Sequence, residues 1–264
     1  MFREKIGDAI LYRGDALEML QSLDAQSVDA LITDPPYSSG GAFRGDRVMD
    51  TRSKYLQSDS GNLALENFGG DNRDQRNFHF WSCLWAAAAL RACKPGAPGL
   101  LFTDWRQLPV STDYLQGGGW VWRGVVPWFK RSARPQLGRF TAACEYVVWG
   151  SAGPMPLERG IGVLPGFYQY TPPANREHIT QKPVELMADM VRICSAGGVV
   201  LDPFMGSGTT GVAAVQLGRR FIGCEQSPHF FDVACRRIEA ALQSRRMFDA
   251  PAAARSLPLD METP

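Results

Sequence analysis

Short apolar runs recur along the chain, separated by stretches whose apolar residues return at helical spacing. AILYRG (9–14), SVDALIT (27–33), PGLLFT (98–103), WVWRGVVPWF (120–129), CEYVVWG (144–150), GGVVLD (197–202) and RRFIGCE (219–225) read as strands. Leu186, Met187, Met190, Val191 and Cys194 share one helical face, as do Phe231, Ala234, Cys235, Ile238 and Leu242, with Ser227-Pro228 as a start signal for the second helix. Strands interleaved with helices predict an α/β fold with a seven-stranded, mostly parallel sheet flanked by helices. In such sheets ligands sit outside the carboxyl ends of the strands.

Two regions leave this rhythm. Residues 38–77 are rich in Gly, Asp, Arg and Asn, and residues 151–176 are punctuated by Pro and Gly around Phe167, Tyr168 and Tyr170. Each reads either as a substrate-binding excursion or as a surface loop. Residues 1–246 are expected to form a single domain, with 247–264, rich in Ala and Pro, as a disordered tail.

At 264 residues and 45% hydrophobic, the chain can bury a full core. Its helix-like apolar run WSCLWAAAAL is too short to span a bilayer, and MFREKIGD at the start mixes charges of both signs. The expectation is a cytoplasmic protein without a membrane partner. Six cysteines without a C-x-x-C pair read as reduced thiols, and three dispersed histidines give no metal site. A net charge of +1 leaves a nucleic-acid partner to be argued from segments.

Two stretches carry chemistry. In LITDPPYSSG an apolar strand breaks off at Asp34-Pro35-Pro36-Tyr37, which taken alone also reads as a tight turn with an acidic cap. In GGVVLDPFMGSGTTG, Gly206, Gly208 and Gly211 match G-x-G-x-x-G between strand and helix, with Glu225 on the following strand, as in a dinucleotide fingerprint. However, Asp202, Pro203 and Phe204 precede the first glycine and no Walker lysine follows, which favours an ammonium or sulfonium over a pyrophosphate. Asp15-x-x-Glu18 reads as a capping box.

Taken in order, GDALEMLQSLDAQSVDALITDPPY, HITQKP and LDPFMGSGTTGVAAVQLGRRFIGCEQSPHFFDVACRRI resemble the β class of DNA amino-methyltransferases, over roughly residues 8 to 243. The resemblance implies a Rossmann-like methyltransferase fold, S-adenosylmethionine as methyl donor with S-adenosylhomocysteine as product, no metal, double-stranded DNA as substrate and a homodimer. It makes Asp34, Pro35, Pro36 and Tyr37 the catalytic tetrapeptide. An exocyclic amine is a poor nucleophile because its lone pair is delocalised into the ring. The Asp34 side chain and the Pro35 carbonyl would accept its two N–H groups, the prolines would hold the backbone, and Tyr37 would stack on a flipped base.

For the cofactor, the resemblance implies Asp34 again, then Asp202, Pro203, Phe204, Gly206, Ser207, Gly208, Thr209 and Thr210 at the methionine end. Glu225 would take the ribose hydroxyls. Thr180, Gln181 and Lys182 would open a helix beside the methionine moiety, while His178 reads as a packing residue. Asp15 either meets the adenine amino group or caps its helix, or does both. After Glu225 the chain reads QSPHFF rather than acid-proline-x-tyrosine, which leaves the role of Gln226 open. The implied strand order sets 198–202 beside 28–33. Candidate DNA contacts are Lys130, Arg131, Arg134 and Arg139 in an acid-free loop, with Arg44 following the catalytic motif. Asp at position 34, where cytosine-N4 enzymes more often carry Ser, favours adenine N6 as the acceptor. Cytosine N4, or a non-catalytic partner subunit of a methylase, are the alternatives. Neither the target sequence nor a cognate endonuclease is readable.

Overall fold

The computed structural model describes residues 1–37, 73–131, 133, 137–138, 140–173 and 181–249, with side chains to Arg246. Arg44, Arg134, Arg139, His178 and Thr180 lie outside the described residues, as do most of the 38–77 excursion and the tail from 250.

The strands are β1 (Phe2–Ile6), β2 (Ala9–Arg13), β3 (Ala30–Thr33), β4 (Pro98–Thr103), β5 (Val121–Phe129), β6 (Cys144–Ser151), β7 (Tyr168–Gln169), β8 (Val199–Asp202) and β9 (Arg220–Glu225). The described helices are α1 (Ala16–Ser22), α2 (Gln75–Ala92), α3 (Leu108–Gly117), α4 (Val184–Val191), α5 (Thr209–Gln216) and α6 (Pro228–Asp249). All nine described strands join one sheet in the order β1-β2-β9-β8-β3-β4-β6-β5-β7. The block from β2 to β4 is parallel throughout; β1 and β6 run against it.

Seven of these strands coincide with the apolar runs. The two additional ones lie at the sheet edges. The β1 segment FREKI is charged at three of five positions and mostly solvated, so it has no apolar signature, and β7 is only two residues long. The 38–77 excursion ends sooner than its composition indicates, because α2 begins at Gln75.

Both faces of the sheet are covered, and the strands alternate between them residue by residue. Ala30, Ile32, Leu100, Phe102 and Val200 face α4, α5 and α6, packing with Leu186, Val212, Phe231, Ala234 and Ile238. Leu31, Leu101, Val199 and Leu201 face α1, α2 and α3, packing with Met19, Leu20, Trp85, Ala89 and Tyr114. The chain leaves β8 through α5 toward β9 on one side and leaves β3 through α2 toward β4 on the other. The crevice between the β3 and β8 ends is therefore the switch point of the sheet, where this architecture opens a binding site. Among the described residues no helix is long and apolar enough to cross a membrane.

The third glycine of the fingerprint serves packing. A Cβ on Gly211 would stand 2.5 Å from Ile238 Cδ1 and 2.8 Å from the Phe221 ring, so α5 rests on α6 and β9 only without a side chain there. Gly211→Ala is expected to destabilise the protein by about 1–3 kcal/mol by overpacking, despite alanine's better helix propensity. Urea unfolding of the two proteins measures it, and an unchanged midpoint would show that the site relaxes freely.

Candidate active site

The strand β3 is buried at all four positions and its last residue, Thr33, donates to Asp202 Oδ1 across to β8 at 2.6 Å. Asp202 Oδ2 accepts from the Thr210 hydroxyl on α5 at 2.6 Å, and Oδ1 also accepts from the Phe204 amide at 3.1 Å. This carboxylate is 2% exposed. Burial, against these hydrogen bonds, pushes its pKa up to about 6. It ties two strands and a helix start together, and so places the ends of β3 and β8 side by side.

Between them the glycine loop turns sharply. Gly206 and Gly208 both adopt positive φ, +51° and +79°, and a Cβ at Gly206 would meet nothing within 4 Å. Gly206 therefore leaves a cradle open to the cleft. At Gly208 the space is closed, since a Cβ there would stand 3.0 Å from Ala234 Cα. The loop is braced from behind by Arg237 of α6, whose guanidinium donates to the Ser207 carbonyl at 2.6 Å and to the Ser207 and Thr209 hydroxyls at 2.9 and 3.2 Å.

A cleft of about 450 Å³ runs along these strand ends. It is lined by Gly14 and Asp15 before α1, by Asp34 to Tyr37, by Gln181 and Lys182, by Asp202 to Ser207 with Thr209 and Thr210, and by Glu225 to Ser227. Of the residues singled out for the cofactor, all those described line it except Gly208. Glu225 accepts from the Gly206 amide at 3.0 Å and from the Ser227 amide at 2.8 Å. Burial raises its pKa against these bonds. Asp15 caps α1, accepting from the Leu17 and Glu18 amides at 2.9 and 3.1 Å, and lines the cleft as well. The capping geometry and the cleft position hold for the same residue.

The surroundings of Asp34 were only partly legible. The Tyr37 hydroxyl donates to Asp34 Oδ1, and the Lys182 ammonium donates to Oδ2. Lys182, 5% exposed, also lies 3.2 Å from the Tyr37 hydroxyl and 3.4 Å from Glu145 Oε2. Glu145 in turn pairs with Lys130 at 2.9 Å. Burial raises the Asp34 pKa, opposed by Lys182. Burial works against the Lys182 charge too, but Asp34 and Glu145 outweigh it and hold its pKa above the usual range. Burial of Glu145 is outweighed by Lys182 and Lys130, which keep it ionised.

Sequence reading missed Glu145, whose only trace is a carboxylate inside the apolar strand CEYVVWG. It also missed Arg73 and Trp81 in the cleft wall, where the Trp81 ring stands 5.5 Å from Phe204 and Arg73 lies 4.5 Å over Trp81. Of the basic loop, Lys130 is held by Glu145, and the exposed Arg131 faces the Gln169 side chain. No group of three His, Cys, Asp or Glu placed to hold a metal occurs among the described residues.

Residues 165–236, which include the glycine loop and Glu225, match the family model described as DNA methylase of the N6_N4_Mtase type. The chain is 27% identical over 270 residues to the type II methyltransferase M.HinfI of Haemophilus influenzae, covering 90% of this chain and 71% of that one. Its fold superposes on the M1.HpyAVI complex with S-adenosylmethionine at TM-score 0.60 and 25% identity, covering 86% of this chain and 98% of that one. The chain is thus similar to DNA methyltransferases of the N6/N4 type, most directly over the glycine loop and Glu225. The fold is shared with the cytosine-N4-specific PvuII DNA methyltransferase at TM-score 0.67 and 17% identity, over 94% of this chain and 95% of that one. The M1.HpyAVI neighbour is a complex with S-adenosylmethionine. Asp34, Asp202 and Glu225 set three acidic groups along the cleft, and Gly206 leaves backbone open to close approach.

Asp202 makes a pH prediction. Its folded pKa of about 6 lies above the ordinary 3.8, so within that window the folded state binds a proton that the unfolded chain lacks. Its contribution to stability therefore falls as pH rises from about 4 to about 6. Asp202→Asn does not titrate, so the wild-type-minus-variant unfolding free energy should decline across that window. Urea titrations at pH 4, 5, 6 and 7 measure it, and a flat difference contradicts the assignment.

Proposed function

We propose that this protein is a DNA methyltransferase that uses S-adenosylmethionine to methylate the exocyclic N6 amine of adenine in duplex DNA, acting on a base flipped into the cleft beside Asp34. The observation that carries the reading is the placement of Asp34 at the end of β3, directly beside the glycine loop that ends β8. When bound, S-adenosylmethionine supplies a methyl group on a sulfonium: the amine nitrogen forms an N–C bond as the S–C bond breaks, leaving a neutral thioether and one proton for release.

The chain's residues do the rest. Asp34 has one partner on each oxygen, Tyr37 and Lys182, and a carboxylate has about four acceptor positions. Room remains for an amine N–H, and the Pro35 carbonyl would take the other. Localising the lone pair in this way orients it for in-line attack, and orientation is a large part of such catalysis. The hydroxyl bond to Asp34 fixes the Tyr37 ring, which would stack on the base for about 1–3 kcal/mol. A base inside a duplex cannot reach this crevice, and extruding it costs a few kcal/mol.

Asp at position 34, where the cytosine-N4 enzymes more often carry Ser, supports adenine. Asp15, Gln181, Asp202 to Thr210, Glu225 and Gln226 are assigned to the cofactor, with Thr180 assigned by sequence alone. The similarity to a type II methyltransferase supports a role in restriction–modification. We assign target reading to segments 38–77 and 151–176 of a single domain, working as a cytoplasmic homodimer, and phosphate contacts to the 130–139 loop with Arg44.

Two measurements test this. Incubated with labelled S-adenosylmethionine and mixed-sequence unmethylated duplex DNA, the wild type should place label in N6-methyladenine, and Asp34→Ala should lower the rate by about 10²- to 10³-fold. Label in N4-methylcytosine would replace the base assignment. Arg131→Ala should weaken DNA binding evenly across sequences and reduce the slope of log K against log salt by about 1; an unchanged slope removes Arg131 from the DNA surface.

A further inference from the structure

Lys182 sits in the motif that the resemblance places beside the methionine moiety, yet its ammonium is turned to the acceptor side of the cleft. An ammonium has three N–H donors. Three protein oxygens surround this one: Asp34 Oδ2, the Tyr37 hydroxyl at 3.2 Å and Glu145 Oε2 at 3.4 Å. Asp34 Oδ2 and the Tyr37 hydroxyl take two of the donors as hydrogen bonds, and Glu145 Oε2 stands beside the ammonium as an ion-pair partner. The stem is enclosed as well, with Nζ 5.2 Å from the Phe102 ring centre and 5.5 Å from that of Tyr37.

The chain of charges is ordered and alternates in sign. Asp34 follows β3, Lys182 precedes α4, Glu145 lies on β6, and Lys130 follows β5. Four separate segments are therefore linked in one chain of ion pairs that ends on Asp34. A buried ion pair is costly to form and contributes little net stability over an apolar replacement, so its presence calls for another explanation.

We propose that Lys182, seated on Glu145 and through it on Lys130, is a positioning residue that holds the Asp34 carboxylate ionised and aimed at the acceptor amine. It acts on the amine through Asp34 rather than by binding the cofactor. This rests on the reading of Asp34 as the amine's acceptor and deepens it.

The electrostatics agree in sign. Asp34 is faced by Lys182, by Tyr37, by Glu145 of β6 and by Asp202 ending β8, with Tyr114 of α3 near it and Asp104 after β4 near Tyr37. Among these Lys182 is the one cation acting on Asp34, and it opposes the upward push of burial, while Glu145 adds to that push. The rate falls on acidification as Asp34 gains its proton. Removing Lys182 must therefore move that fall to higher pH, and neutralising Glu145 must move it to lower pH.

The experiment is single-turnover methyl transfer to duplex DNA across a pH series for wild type, Lys182→Met, Lys182→Arg and Glu145→Gln. Binding of labelled S-adenosylmethionine is measured alongside by equilibrium dialysis, and this also reports folding. Lys182→Met is expected to lose about ten- to hundredfold in rate at neutral pH, the scale of one charge-assisted hydrogen bond. Its cofactor affinity should stay within about twofold of wild type, and its acid limb should move up. Glu145→Gln should move the limb down, and Lys182→Arg should restore it toward wild type. If Lys182→Met instead weakens cofactor binding and leaves the pH profile in place, Lys182 is a cofactor ligand and the proposal is wrong. If both neutralising variants move the limb in the same direction, charge is not the cause and the proposal is equally wrong. A wild type that transfers no methyl group to DNA removes the reading of Asp34 itself, and this inference with it.

Discussion

The buried carboxylate of Asp202 is the constraint on which the rest of the molecule depends. It accepts from Thr33 at the end of β3, from Thr210 at the start of α5 and from the Phe204 amide. A carboxylate in this position has exchanged water for three protein donors, and losing any of them would leave an expensive unsatisfied acceptor. Because Thr33 lies 169 positions away along the chain, satisfying it draws the end of β3 and the glycine loop to one crevice. The same acid that reads as a cofactor residue is thus also the joint of the fold.

Around that joint the site divides into two differently built halves. The glycine-loop side is mostly backbone: glycines at positive φ, amides held by Glu225, and Arg237 bracing the loop from α6. Such a surface is preorganised because its groups are covalently part of the strand ends. The Asp34 side is a set of side chains in ionic and hydrogen-bonded contact, Asp34, Tyr37, Lys182, Glu145 and Lys130. Its geometry depends on charge balance, so it responds to protonation where the glycine loop does not.

The covered sheet explains why so few residues carry the chemistry. With helices on both faces, β3 and β8 are buried at every position, and polar groups become accessible only where the strands end. Asp34 and the glycine loop begin within a residue or so of those ends. Packing and reactivity meet at the same boundary, and for that reason a glycine such as Gly211, where a Cβ would stand 2.5 Å from Ile238, belongs to the core rather than to the ligand.

The sequence by itself determined the seven apolar strands, the helical faces of α4 and α6, the two motif stretches and the presence of acids at the strand ends. These are local properties: period, punctuation and short-range capping are written in neighbouring residues. The edge strands β1 and β7 escaped because a solvated edge needs no apolar period. What only the tertiary structure decided is partnership across long separations. Lys182 meets Asp34 at a distance of 148 positions along the chain, Glu145 reaches Lys182 from β6, and Trp81 enters the cleft from a helix that reads as ordinary core. No spacing rule links such residues, because their contact follows from the order in which strands are laid into the sheet. A buried charge is recognisable as such only once its opposite is seen beside it.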